Sequence, residues 1–209
     1  MYSAIIFDLD GTLVDSSEGI IKATKDALKI LEYPLMTTDE IKSCIGPPLG
    51  KTIIDKFDYG EKELREFNHI FRDLYKNKYL FEAKIYEGVI PLLETLYNEK
   101  FLAIATNKRE DYTSILLNHL HLSKYFDIVK GSDFEGKLVK KDLIEFCINR
   151  SNSEKSHIVM IGDTINDALA AKECCIDFIG VTYGMGFNPC NKSPYGRTVD
   201  SVQEIEHLV

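Results

Sequence analysis

The chain has 209 residues, enough for one sizeable domain or for a core domain carrying a smaller insertion. Hydrophobic residues make up 44% and charged residues 28%, which excludes an extensively disordered chain. The net charge of −8 disfavours nucleic acid and anionic membranes as partners, so any phosphate site must gather positive charge locally.

In chain order, the first element is a short apolar run, Ala4-Ile5-Ile6-Phe7, which Asp8 ends. It has the length of a buried strand and is too short for the apolar region of a signal peptide. No apolar run approaches a membrane span. From Asp15 to about Ala83 the pattern is helical. Ile20, Ala23, Ala27 and Leu31 share one helical face, and Leu64, Phe67, Phe71 and Leu74 share another. Residues 49–57 give a third helix. The chain returns to strands near Tyr86-Glu87-Gly88, and residues 101–105 form the second apolar run. Helical spacing follows over 106–121, with Ile115, Leu116 and Leu120, and then a short strand at Asp127-Ile128-Val129. Residues 140–150 repeat the helical pattern with Leu143, Ile144, Cys147 and Ile148. Two more apolar runs lie at Ile158-Val159-Met160-Ile161 and Phe178-Ile179-Gly180-Val181, and residues 183–197 are rich in glycine and proline.

Strands alternating with helices predict an α/β fold with a doubly wound parallel sheet. The predicted core is 1–14 with 84–209, and residues 15–83 form an inserted α-helical cap subdomain. Five cysteines, Cys44, Cys147, Cys174, Cys175 and Cys190, contain no C-x-x-C pair and give no disulfide or zinc framework, which predicts a reduced, cytoplasmic protein. The sequons at Asn149 and Asn191 are read as accidental, because no secretory signal is legible. The five histidines, His69, His119, His121, His157 and His207, have no metal-ligand spacing. The segment 45–52 resembles a phosphate loop but fails it: three residues, not four, separate Gly46 from Gly50-Lys51, and no strand precedes it.

In an open α/β sheet, ligands bind beyond the carboxyl ends of the strands. Those positions hold Asp8 and Asp10, Thr106 and Asn107, and Asp163, with Asp167 four residues further on. Carboxylates gathered in a cleft destabilise one another unless they protonate or bind a cation. An all-oxygen set with no histidine or cysteine beside it favours magnesium over zinc. Thr106 offers a hydroxyl, and amides opening the following helix would favour an anion. A lysine, Lys140 or Lys141, adds a point charge at the start of the next helix.

These residues resemble the haloacid dehalogenase superfamily, in its phosphoglycolate-phosphatase-like branch with a helical cap. The resemblance spans essentially the whole chain. It rests on Asp8-Leu9-Asp10-Gly11-Thr12, on Thr106 in Ala105-Thr106-Asn107-Lys108, on a lysine in Lys140-Lys141-Asp142, and on Gly162-Asp163-Thr164-Ile165-Asn166-Asp167. Arg109 replaces the proline that many relatives carry after the second motif. The resemblance implies a magnesium-dependent phosphatase acting on a small phosphorylated metabolite through an aspartyl-phosphate. Asp8 would be the nucleophile and Asp10 the acid and base. Thr106, Asn107 and Lys140 (with Lys141 as the alternative and Lys137 a third candidate) would bind the phosphoryl group. Asp8, Asp10 through its backbone carbonyl, Asp163 and Asp167 would form the Mg2+ site. The Gly46-Pro47-Pro48-Leu49 segment would be a cap loop facing the site. A sugar phosphomutase of the same family and a non-catalytic phosphate-binding protein are the alternatives. Neither the substrate nor the oligomeric state is legible.

Overall fold

The computed structural model describes residues 1–46 and 49–209. Six strands form one sheet in which every neighbouring pair is parallel. Its central strand is β1 (Ala4–Phe7), flanked by β4 (Phe101–Arg109) and β6 (Ile158–Gly162). Outside these lie β5 (Ile128–Ser132) on one side, and β7 (Asp177–Val181) and β8 (Arg197–Val199) on the other.

All four residues of β1 are buried, as expected for a strand covered on both faces. Alternate side chains point to opposite layers. Ile5 and Phe7, with Leu102, Ile104, Val159 and Ile161, pack on α5 (Val89–Leu96), α6 (Glu110–His119) and α9 (Val202–Glu206). Ala4 and Ile6, with Ala103, Ala105 and Met160, pack on α7 (Lys140–Ser151) and α8 (Ile165–Glu173). The doubly wound α/β expectation is therefore met. Phe7 is wholly buried, and truncating it to alanine would cost about 3–5 kcal/mol.

Two strands of two residues each, β2 (Val14–Asp15) and β3 (Lys84–Ile85), pair antiparallel as Val14 with Ile85 and Asp15 with Lys84. Between them lie α1 (Ser17–Ile30), α2 (Thr38–Lys42), α3 (Leu49–Lys56), α4 (Glu61–Leu74) and a wider π-helical turn, Tyr75–Tyr79. Leu28, Ile41, Ile53, Ile54 and Phe67 give these helices a core of their own. The face of α1 is shared: Ile20 and Ala23 join the sheet-side core, while Ala27 and Leu31 face the helical cluster.

Two local expectations change. Residues 106–109 are not helical, because β4 runs on to Arg109 and α6 begins at Glu110. Strand β5 supplies the reason: it is long enough to pair Thr106 with Gly131 and Arg109 with Ser132, across an irregularity between Thr106 and Arg109. The loop-rich stretch also ends in a strand, β8, which is short and polar as an exposed sheet edge requires. Among the described residues all five cysteines are free, and no helix is long and apolar enough to cross a membrane.

Candidate active site

Because the strands are parallel, the carboxyl ends of β1, β4 and β6 meet at one edge. Asp8 continues β1, its N–H donating to the Ile161 carbonyl at 2.8 Å, and its carboxylate is almost wholly buried. Lys140 reaches it from the first residue of α7. The Lys140 ammonium lies 2.8 Å from Asp8 Oδ1, 2.8 Å from Asp167 Oδ1 and 3.1 Å from the Ala105 carbonyl. Lys141 lies near Glu145 at the surface, and the exposed Lys137 pairs with Glu135, so Lys140 alone of the three enters the cluster.

Asp163 follows β6, and Asp167 sits in the first turn of α8. Thr164 caps that helix, and Asp167 Oδ2 accepts both its N–H (3.0 Å) and its hydroxyl (2.6 Å). The other oxygen, Asp167 Oδ1, is wholly buried and meets the Lys140 ammonium at 2.8 Å. Asp163 is held by the loop after β7: Oδ2 accepts the amides of Met185 (2.8 Å) and Gly186 (3.1 Å), and its carbonyl accepts that of Phe187 (2.7 Å). Glycine is needed at two points of this packing. A Cβ on Gly184 would lie 2.2 Å from the Gly11 carbonyl oxygen, and one on Gly11, whose φ is +86°, would lie 2.2 Å from Asp163 Oδ2.

Carboxylate oxygens of Asp8, Asp163 and Asp167 lie within 4.8 Å of one another. Three carboxylates against one ammonium leave a formal charge of −2 in a buried space. Burial pushes the Asp8 carboxyl up to about 6, with Asp167 and Asp10 adding to the shift and Lys140 opposing it. Burial, then Asp167 and Asp8, raises Asp163 well above the usual carboxylate range. Burial alone would lower the Lys140 ammonium, but Asp167 and Asp8 outweigh it and raise its pKa. Unmet negative charge and an all-oxygen donor set fit a hard divalent cation.

The Asp10 carboxylate stands apart from this group. It accepts the Ser16 hydroxyl at 2.5 Å and lies 2.9 Å from the Lys108 ammonium, which also donates to the Tyr75 hydroxyl at 2.8 Å. Any metal role of Asp10 thus falls to its backbone carbonyl. Thr106 is buried, and its hydroxyl oxygen accepts the Lys108 N–H at 3.2 Å. The Asn107 side-chain amide donates to the Gly46 carbonyl at 3.0 Å, tying β4 to the inserted helices. No helix N-terminus stands at Thr106, since the strand continues there. Pro47 and Pro48 of the expected cap loop lie outside the described residues; Gly46 and Leu49 both line the cavity described next.

Lys108, Tyr75 and Ser16 are site residues that sequence reading passed over. For Lys108 a signal exists. On a strand, residues two apart share a face, so extending β4 through Arg109 puts Lys108 beside Thr106. For Tyr75, 33 residues away from Lys108, there is none. A cavity of about 420 Å³ opens above these groups, with Asp8, Asp10 and Thr106 at its floor and Ile45, Leu64, Phe71 and Tyr75 along its walls.

The haloacid dehalogenase-like hydrolase family model matches residues 5–181. A 5'-nucleotidase of Pseudomonas aeruginosa is 30% identical over 187 residues, covering 88% of this chain and 85% of that protein. A phosphoglycolate phosphatase of Vibrio parahaemolyticus is 28% identical, covering 98% and 95%. The crystal structure of a predicted phosphatase from Clostridium acetobutylicum superposes with a TM-score of 0.93 at 32% identity, covering 100% of this chain and 98% of that one. The chain belongs to the haloacid dehalogenase-like hydrolase family, in its phosphoglycolate-phosphatase-like branch of phosphoric monoester hydrolases.

Proposed function

We propose that the chain is a magnesium-dependent phosphatase that hydrolyses a small phosphomonoester through an aspartyl-phosphate on Asp8. One observation carries this reading: a buried carboxylate at the floor of a cavity, with an ammonium 2.8 Å away and two further carboxylates beside it. Asp8 attacks phosphorus in line, and the ester oxygen leaves with a proton from Asp10. Asp10 then takes a proton from the water that opens the acyl phosphate. Lys140, Thr106 and Asn107 hold the transferring phosphoryl oxygens. Asp8, Asp163 and the Asp10 carbonyl would hold magnesium, with Asp167 supporting them from behind. When bound, the ion would supply charge that offsets the phosphoryl group and the surplus −2.

In this reading residues 15–83 act as a cap that closes over the substrate and excludes water. A phosphorylated metabolite such as phosphoglycolate or a nucleoside monophosphate fits the activities named for the relatives above. Free thiols support a reduced, cytoplasmic setting, and the net charge of −8 weighs against nucleic acid and anionic membranes. The test uses p-nitrophenyl phosphate with and without magnesium, beside Asp8→Asn. Turnover that needs both Asp8 and a divalent cation is expected. Turnover equal to that of the variant with every divalent metal tried would refute the reading.

A further inference from the structure

The cavity has a second end. It is bounded there by Arg72 on α4 and by Arg109, the last residue of β4. Both guanidiniums lie over the Phe134 ring, Arg109 at 4.5 Å and Arg72 at 5.9 Å from its centroid. Arg109 is met by one carboxylate: it donates to Asp111 at 3.0 and 2.7 Å and to the Tyr112 hydroxyl at 3.0 Å. Arg72 donates to the Phe134 carbonyl at 3.0 Å, and among the described residues no carboxylate pairs with it. Burial, and after it the like charge of Arg109, lowers the Arg72 pKa. Glu135 also lines the cavity, with its carboxylate taken by Lys137, and Asp133 and Asp111 act on Arg72 without an ion pair, so Arg72 is a guanidinium at this end that no carboxylate among the described residues meets directly.

Arg109 lies three residues beyond Thr106, across the irregularity in β4, and both residues line the same cavity. Leu64, Phe71, Tyr75 and Tyr112 also line the cavity and offer an apolar or aromatic track. At about 420 Å³ the volume lies within the range of about 300–1,000 Å³ typical of small-molecule sites, and exceeds what a lone phosphate needs.

We propose that Arg72 and Arg109 form a second anion subsite, so that the substrate is a phosphomonoester whose far end carries a carboxylate or a second phosphate, separated by an apolar or aromatic spacer. This rests on the hydrolase reading and deepens it. Arginine suits the role, because its planar fork binds either anion in two-point fashion and keeps its charge when half-buried.

The test measures binding, so that it does not depend on turnover. Calorimetry with wild-type protein in magnesium buffer compares phenylphosphonate, 4-carboxyphenylphosphonate, 1,4-phenylenebisphosphonate and the two-carbon phosphonoacetate. At least one of the two longer dianions is expected to bind roughly tenfold or more tighter than phenylphosphonate, a charge-assisted contact being worth about that much. Which of the two does so tells carboxylate from phosphate. In Arg72→Gln the ratio of Kd values falls to about one, and Arg72→Lys keeps part of it. Equal affinities in the wild type, a ratio that survives Arg72→Gln, or a preference for phosphonoacetate over both longer dianions would overturn the subsite. Hydrolysis of phenyl phosphate, followed separately, reports on the hydrolase reading. Turnover without the affinity ratio sinks the subsite alone, and the ratio without turnover sinks the hydrolase alone.

Discussion

Lys140 offers the sharpest quantitative check on the carboxylate cluster. Lys140→Met keeps the length of the side chain and removes its charge, leaving Asp8 and Asp167 buried without their ammonium and the Ala105 carbonyl without its donor. Removing one partner of a buried ion pair costs about 3–5 kcal/mol when the other stays charged. The cluster has an escape, because Asp8 already titrates at about 6, against 3.8 for an ordinary aspartate. A carboxyl raised in the folded state loses stability as pH rises: its penalty is absent below about 4 and complete above about 6, where the shift of roughly two units is worth about 3 kcal/mol. Without Lys140 that folded pKa moves higher, so the penalty goes on growing through neutrality. The folded pKa of Lys140 is also raised, so its charge is present at both pH 5 and pH 8 and the difference between them comes from the carboxyls. The variant should therefore lose less stability at pH 5 than at pH 8, where the loss is about 3 kcal/mol, equivalent to roughly 6–12 °C in Tm for a chain of this size. Urea unfolding with a chelator present, at both pH values, measures this. A difference equal at pH 5 and pH 8, or a more stable variant at pH 8, would refute the argument that unpaired carboxylates govern the site.

Four further outcomes follow from the same geometry. Asp8→Asn should lower p-nitrophenyl phosphate turnover by a factor on the order of 10⁴ or more, while the metal-free variant unfolds at a higher temperature at pH 8 because one buried charge is gone. Magnesium should raise the Tm of the wild type, and Asp163→Asn should abolish that rise, read by calorimetry. Gly184→Ala puts a methyl 2.2 Å from the Gly11 carbonyl and 2.5 Å from Asp163 Cβ, so a loss of about 1–3 kcal/mol is expected by urea titration, together with weaker metal binding. Lys108→Met frees the Asp10 carboxylate from its cation and should change the pH profile of kcat more than KM; a profile superposable on the wild type would separate Lys108 from the chemistry.

Much of the site could be read from the chain because apolar runs stop where the sheet stops. The runs ending at Phe7, Ala105 and Ile161 mark three parallel strands, and so bring Asp8, Thr106 and Asp163 to one edge. What could not be read depended on pairing across the chain. Thr106-Asn107-Lys108-Arg109 is polar, yet it stays extended because β5 reaches Gly131 and Ser132 beside it. That extension turns Lys108 into the cavity. The tie from Asp10 through Lys108 to Tyr75 joins three positions with no common period, and the charge on Arg72 gains meaning only once α4 lies across from Arg109. Helix α1 shows the same limit within one element: a single apolar face is legible, but not that its two halves serve different cores.

The ribbon of β2 and β3 has a consequence for descent. The chain enters and leaves the run of inserted helices within one strand spacing, about 5 Å. The pairing of Val14 with Ile85 fixes both ends of the excursion, whatever its length, and doubling such a loop costs only about 0.6 kcal/mol of closure entropy. A lineage can lengthen, shorten or rebuild those helices while the register of the six strands stays as it is. Appetite for new molecules can then drift in one half of the polypeptide, while the reactive half is inherited intact.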